Sequence, residues 1–145
     1  MSDYKKINKS HKHSSYEVKI PVWNGNQNIR KPFANWSDNK SLEWWDGYNK
    51  SKHNRHSEFQ KATFNNLTNA MCGLITVLSA QFEDIDFAPI EAGLSIGGNN
   101  DGMESSIGGY FRIKYPTDWD ENEKYNFNLD EIENDSNPFD KFMYE

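Results

Sequence analysis

The chain has 145 residues, of which 35% are hydrophobic and 26% charged, and a formal net charge of −6. That length holds one modest core, and the longest apolar stretch, Ala70 to Ala80, falls far short of the roughly 20 residues that cross a bilayer. An aromatic content of 14%, with five Trp, argues against a simply disordered chain despite a mean hydropathy of −0.96.

The charge is unevenly placed. Residues 1–61 carry 12 Lys/Arg against 6 Asp/Glu, and residues 62–145 carry 4 against 16. The first fifteen residues are polar and basic with no apolar leader, which predicts a flexible basic tail and a cytoplasmic protein. Tyr16 to Trp23 alternates apolar and polar side chains and predicts a strand, with Pro21 at an edge or an end. Asn24, Gly25 and Asn26 are a turn signal. Residues 27–38 read as a loop anchored by Phe33 and Trp36.

A shorter aromatic helix is expected to start between Ser37 and Ser41. Both residues are suitable N-caps, and Leu42, Trp45 and Tyr48 follow at spacing three. Whether it runs unbroken through Asn54 is open at this stage. Ser57 and Gln60 then have the form of a capping box. They precede Phe59, Ala62, Leu67, Ala70, Met71, Leu74, Ile75, Val77, Leu78 and Phe82, whose mixed spacings of three and four predict a helix of about six turns. Its second half is apolar nearly all round, so it is expected at the centre of the fold. Gly73 costs that helix roughly 1 kcal/mol against Ala, which a close approach by another element would explain. Cys72, the single cysteine, reads as a small buried hydrophobe.

Leu94 to Ile96 and Ile107 to Tyr115 read as the strands of a β-hairpin about the turn Gly97 to Gly102. Tyr110, Arg112 and Lys114 then share one face, and Phe111, Ile113 and Tyr115 the other. Residues 116–145 hold ten acids and two Lys among sparse aromatics such as Trp119, Phe127, Phe139 and Phe142. They predict an acidic tail with aromatic anchors. The expected organisation is a flexible basic tail over 1–15, one globular domain over 16–115 and the acidic tail over 116–145. The fold class is α+β: a long central helix, a shorter aromatic helix, and an antiparallel hairpin joined by the N-terminal strand.

The glycine-rich stretch from Gly93 to Gly109 lacks the phosphate-loop pattern, and no helix opens after it. His11, His13, His53 and His56 lack accompanying cysteines for a structural metal site, and Glu83, Asp84 and Asp86 suit a solvated helix exit. No cofactor and no metal are expected. The segment from Trp44 to His56 is chemically richer. On a continuous helix with Asn49 at zero, Trp45 falls at about −40°, Lys52 at −60°, His53 at +40° and His56 at −20°. Arg55 lies at about −120°, beside Tyr48. Imidazoles shuttle protons near neutral pH, Lys and Arg hold phosphates, and aromatic rings stack bases. The segment therefore offers His53, Arg55 and His56 for catalysis. Asn49, Lys52, Trp44, Trp45 and Tyr48 are offered for nucleic-acid contact. The alternative is that Trp44, Trp45 and Tyr48 are core anchors and the polar groups between them serve hydrogen bonding.

Trp44, Trp45, Tyr48, Asn49, Lys52, His53, Arg55 and Phe59, followed by Ala62, Asn66, Ala70, Gly73 and Leu74, resemble small helical proteins of the HEPN-like kind from bacterial defence and toxin systems. The likeness covers about residues 31–82. It implies a helical bundle, often dimeric, with ribonuclease activity in many members, His53 as general acid/base and Arg55 as phosphate stabiliser. The family signature places an Arg four to six residues before a His. Here Arg55 and His56 are adjacent.

The leading expectation is a HEPN-like RNA-acting protein, nuclease or binder, of a bacterial or phage conflict system. Two others stand beside it. One is a non-catalytic inhibitor or complex subunit of phage or mobile-element origin that meets a protein partner through residues 116–145. The other is a single-stranded RNA- or DNA-binding protein whose acidic tail recruits partners. A homodimer is possible under the resemblance, and no membrane contact is expected.

Overall fold

The computed structural model describes residues 2–82 and 101–120. The expected strand Leu94 to Ile96, the acids Glu83, Asp84 and Asp86, and most of the acidic tail lie outside the described residues. In chain order, helix α1 spans Ser2–His11 and a 3-10 turn spans His13–Ser15. Strands β1 (Glu17–Lys19) and β2 (Ile29–Arg30) follow, then a 3-10 turn over Ala34–Trp36. Helix α2 spans Glu43–His53. The short α3 (Arg55–Glu58) continues into a 3-10 turn over Phe59–Lys61. Helix α4 runs Phe64–Phe82, and strands β3 (Glu104–Ile107) and β4 (Phe111–Lys114) close the sheet. The architecture is α+β, as the periodicities predict.

The sheet is antiparallel throughout, in the order β2-β1-β4-β3. β1 therefore sits inside it, and Pro21, which has no N–H to donate, falls after the strand ends. Val18 faces Ile113 across the β1–β4 ladder, and both are fully buried. Together with Tyr16, Ile20, Cys72 and Ile75 they form the core between the sheet and α4, flanked by Phe111 and Tyr115. Phe111, Ile113 and Tyr115, which alternation sets on one face, are thus the side turned to this core, while Arg112 on the other face is buried as well. The hairpin turns elsewhere than expected. The stretch from Ile107 to Tyr115, read as one strand, contains the turn itself. Gly108 and Gly109 adopt φ of 54° and 77°, the Tyr110 N–H donates to the Ile107 carbonyl at 2.9 Å, and β3 is the strand that pairs with β4. Positive φ at two adjacent residues is a conformation glycine adopts without a Cβ penalty.

On the outer face, Lys19 and Arg112 oppose each other across the ladder. Their repulsion is resolved by Asp101, which lies 2.7 Å from Lys19 Nζ and 2.9 Å from an Arg112 terminal nitrogen. Arg112 also donates to the Met103 carbonyl at 2.6 Å. These two cations hold the Asp101 carboxyl below its ordinary range, the hydrogen bond from Lys19 contributing most.

A second core lies under α2, where Phe33, Trp36 and Leu42 are buried and Trp44 and Trp45 pack against them. The 27–38 loop thus hides the short strand β2. Its Arg30 side chain donates to Asn65 Oδ1 at 2.6 Å and lies over the Trp23 ring.

The long helix begins later than the capping-box reading expects. Asn54, at φ −126° and ψ 51°, ends α2, and α3 follows as a separate short helix. The cap of α4 is Thr63, whose Oγ1 accepts the Asn66 N–H at 3.1 Å. Ser57 spends its hydroxyl on the Asn54 carbonyl instead. α4 is also not enclosed on all sides. Thr68, Cys72, Gly73, Ile75, Thr76 and Ser79 are buried, while Phe64, Leu67, Met71, Leu74 and Val77 remain exposed.

Residues 2–11, expected in a flexible basic tail, form α1. Lys5 Nζ reaches the Asn39 carbonyl at 2.7 Å, and the next turn buries His13 against Tyr16, Phe33 and Trp36. The opening residues of the acidic segment meet this same region: Ser15 Oγ donates to Asp118 Oδ2 at 2.7 Å, and Lys12 Nζ lies 5.7 Å from the Trp119 ring centroid. No helix among the described residues is long and apolar enough to cross a membrane.

Candidate nucleic-acid interface

The aromatic residues of α2 continue a chain of rings that starts in the core. Phe33 and Trp36 lie 4.5 Å apart at their centroids, Phe33 meets Trp44 edge-on at 5.9 Å, Trp44 meets Trp45 at 6.2 Å, and Trp45 meets Tyr48 at 5.8 Å. Trp44 Nε1 donates to the Pro32 carbonyl at 2.8 Å. Trp44 and Trp45 are therefore anchors, half-buried, with their contact area spent on the protein. Tyr48 is the exposed end of the chain, with about half its surface open (52%).

At that end an open groove of about 320 Å³ is lined by Tyr48, Ser51, Lys52, Arg55 and Phe59. Tyr48, Ser51 and Lys52 share a face because α2 repeats every three to four residues. The break at Asn54 then turns the chain, so that Arg55 and Phe59 close the other side. Each ring carries a cation: Lys52 Nζ is 5.6 Å from the Tyr48 centroid, and the Arg55 guanidinium is 5.8 Å from that of Phe59. Phe59 is 60% exposed, an unfavourable place for a large apolar ring unless something covers it.

The groove selects a different face from the one drawn on a continuous helix. Tyr48, Lys52 and Arg55 come together on what the wheel makes the flank. His53 stands about 140° from Tyr48 around α2, and Asn49 lies outside the lining set. The wheel position of His56 assumed a helix that the break at Asn54 interrupts. His53 and His56 are exposed and form no hydrogen bond or ion pair among the described residues. The structure therefore brings together Tyr48, Lys52 and Arg55, adds Ser51 and Phe59, and leaves Trp44, Asn49, His53 and His56 outside the lining, with Trp45 touching it only through the Tyr48 ring.

Ser51 belongs to no pattern in the sequence, and Phe59 enters there only as an apolar helix residue and in the resemblance. Ser51 donates to the Gly47 carbonyl at 2.8 Å, a helical back-bond that explains a serine in mid-helix. Phe59 fits the apolar pattern of the long helix, which hides its place beside Arg55. The available signal was its spacing of four from Arg55, which becomes meaningful once the helix is known to restart after Asn54. Lys52 also has a local role, since it and Lys50 lie in the last turn of α2 and complement its dipole.

Among the described residues no group of three or more His, Cys, Asp or Glu is arranged to hold a metal ion. No family model, curated protein or solved structure matches the chain.

Proposed function

We propose that this protein binds single-stranded nucleic acid at the corner of α2 and α3, with bases stacking on Tyr48 and Phe59 and phosphates meeting Lys52 and Arg55. The observation that carries the proposal is the groove itself, with two half-exposed rings about one open space and a cation beside each. Stacking is indifferent to base identity and worth about 1–3 kcal/mol per base, and cations follow the backbone. Binding of this kind is sequence-tolerant and salt-sensitive. The RNA-acting, HEPN-like reading is one form of this proposal, in which His53, Arg55 and His56 act on the strand that the groove holds.

The test is fluorescence anisotropy with short labelled RNA and DNA strands across a salt series. The logarithm of the wild-type binding constant should fall linearly with log salt, and Lys52→Ala or Arg55→Ala should each reduce that slope by about 0.7. Tyr48→Ala and Phe59→Ala should weaken binding by about 1–3 kcal/mol with the slope unchanged. Wild-type protein that does not bind, or whose slope is indifferent to Lys52 and Arg55, refutes the assignment. Scoring the RNA arm for cleavage, with His53→Ala alongside, separates a nuclease from a binder.

A further inference from the structure

Arg30 is an unusual member of the layer between the sheet and α4. It stands opposite Val18 in the β1–β2 ladder. Residues directly opposite in an antiparallel pair share a face, so its side chain turns with Val18 toward α4, and it is only 7% exposed. A buried cation is ordinarily neutralised by a carboxylate. Among the described residues Arg30 meets none, and its partners are neutral. Nη1 donates to Asn65 Oδ1 at 2.6 Å, and the guanidinium lies 5.3 Å from the Trp23 ring centroid. Nε is buried with no hydrogen-bond partner among the described residues. The Nε–Nη2 edge, which can grip an oxyanion through two parallel N–H bonds, is therefore unused.

The position adds a second source of positive potential. Asn65 belongs to the first turn of α4, where the helix dipole presents its positive end. That turn holds no Asp or Glu. Thr63 accepts the N–H groups of Asn66 and Leu67, which leaves those of Phe64 and Asn65 without a partner among the described residues. A guanidinium at a helix N-terminus has the wrong sign for the dipole, so two like-signed groups converge where no anion of the described chain stands. Burial pushes the Cys72 thiol up to about 11, and the Arg30 charge works against that push, so the charge is felt within the core.

We infer that the junction of β2 with the N-terminus of α4 is a phosphate-binding site, held by the free edge of Arg30 and the Phe64 and Asn65 N–H groups. Phosphate fits better than carboxylate, because the arginine edge engages both oxygens of a carboxylate and leaves none for the helix, whereas phosphate has oxygens for both. Free phosphate and the phosphate of a nucleotide share this chemistry. A base has a ring at hand in Phe64, which is 68% exposed and stacks on Trp23 at 5.9 Å. The site shares no residue with the groove of Tyr48, Lys52 and Arg55, and does not depend on its reading.

The experiment is calorimetric titration of the full chain with inorganic phosphate, adenosine monophosphate, adenosine and succinate at fixed ionic strength. Phosphate should bind wild type at a single site, with the monophosphate at least as tight and adenosine and succinate weaker. Arg30→Met, of similar length and uncharged, should lose the phosphate heat. Its thermal midpoint should be no lower than that of phosphate-free wild type, since an unpaired buried charge is gone. Should that variant fail to fold, Arg30→Lys keeps the charge without the fork and should bind phosphate at least roughly tenfold more weakly. Tighter binding of the monophosphate, lost in Phe64→Ala, names a nucleotide as the source, and equal affinities name free phosphate. Wild type that binds no phosphate, or binds succinate or adenosine as tightly, overturns the inference. A lowered midpoint with the phosphate heat intact makes Arg30 structural and overturns it too. So does loss of that heat in Lys52→Ala with Arg55→Ala, which would place the phosphate in the groove.

Discussion

Gly47 and Gly73 mark close approaches between α2 and α4, the first too close for a methyl group and the second tight. A Cβ on Gly47 would stand 2.5 Å from Asn66 Nδ2 and 3.2 Å from the Lys61 carbonyl oxygen. Asn66 cannot simply move aside, because Nδ2 donates to that same carbonyl at 2.8 Å. On Gly73 the Cβ would meet Trp44 Cζ2 at 3.2 Å, which is the close approach that tolerating Gly73 in a helix implied. Gly47→Ala should therefore destabilise by about 1–3 kcal/mol despite its gain of up to about 1 kcal/mol in helix propensity. Gly73→Ala, facing the edge of one ring, should cost clearly less. Urea unfolding of the two variants checks the order. At His13, burial, and secondarily the neighbouring His11, push the imidazole from 6.5 down to about 4, and its Nδ1 is buried with no hydrogen-bond partner among the described residues. A pKa lowered on folding means that the unfolded chain binds more protons. The stability held by neutral His13 is thus complete above about pH 6.5 and drains away as pH falls toward 4. His13→Phe keeps a ring in place and should flatten that acid limb by up to about 3 kcal/mol. Parallel pH profiles for wild type and variant would refute this origin for the acid sensitivity.

At the scale of elements, helix boundaries decide where function can sit. Thr63 caps α4, so Thr63→Ala should lower stability by about 0.5–2 kcal/mol. Ser57→Ala should be nearly silent, and thermal unfolding of the pair distinguishes the two caps. The sequence made the aromatic helix, the long helix, the N-terminal strand and the shared face of Phe111, Ile113 and Tyr115 legible, because apolar periodicity groups the residues that lie on one side of an element. It did not disclose β2, a two-residue strand whose pairing is set by β1 rather than by its own side chains. Nor did it locate the hairpin turn, since Tyr110 looks like a strand residue until Gly108 and Gly109 take positive φ. The candidate site was half legible for the same reason. Tyr48, Lys52 and Arg55 carry visible chemistry, but a residue wheel holds only as far as the helix does, and Asn54 gives no glycine or proline warning of the break.

Across the whole molecule, the basic and acidic parts of the chain do not correspond to separate folding units. β1, from the positive part, has β4, from the negative part, as its neighbour on one side. Asp101 joins Lys19 to Arg112, and Glu17 lies 2.7 Å from Lys31 and 3.9 Å from Lys114. Val18 is buried against Ile113, so the core beneath α4 is completed only by the later strands. A fragment ending at residue 82 should accordingly show no cooperative unfolding transition, even though it contains every residue of the proposed groove. A sharp calorimetric transition in that fragment would refute this dependence.

The single thiol provides a timing device for that core. Cys72 is fully buried between α4 and the sheet, and burial pushes its thiol up to about 11. In the closed protein it is both shielded and unreactive, because the thiolate is the nucleophile. An uncharged alkylating reagent can then modify it only during excursions in which α4 lifts from the sheet. At low reagent concentration the modification rate reports the free energy of that opening, and at saturating reagent it reports the opening rate. The protein thus carries, at one position and without any label, a clock for how often its central helix lets go.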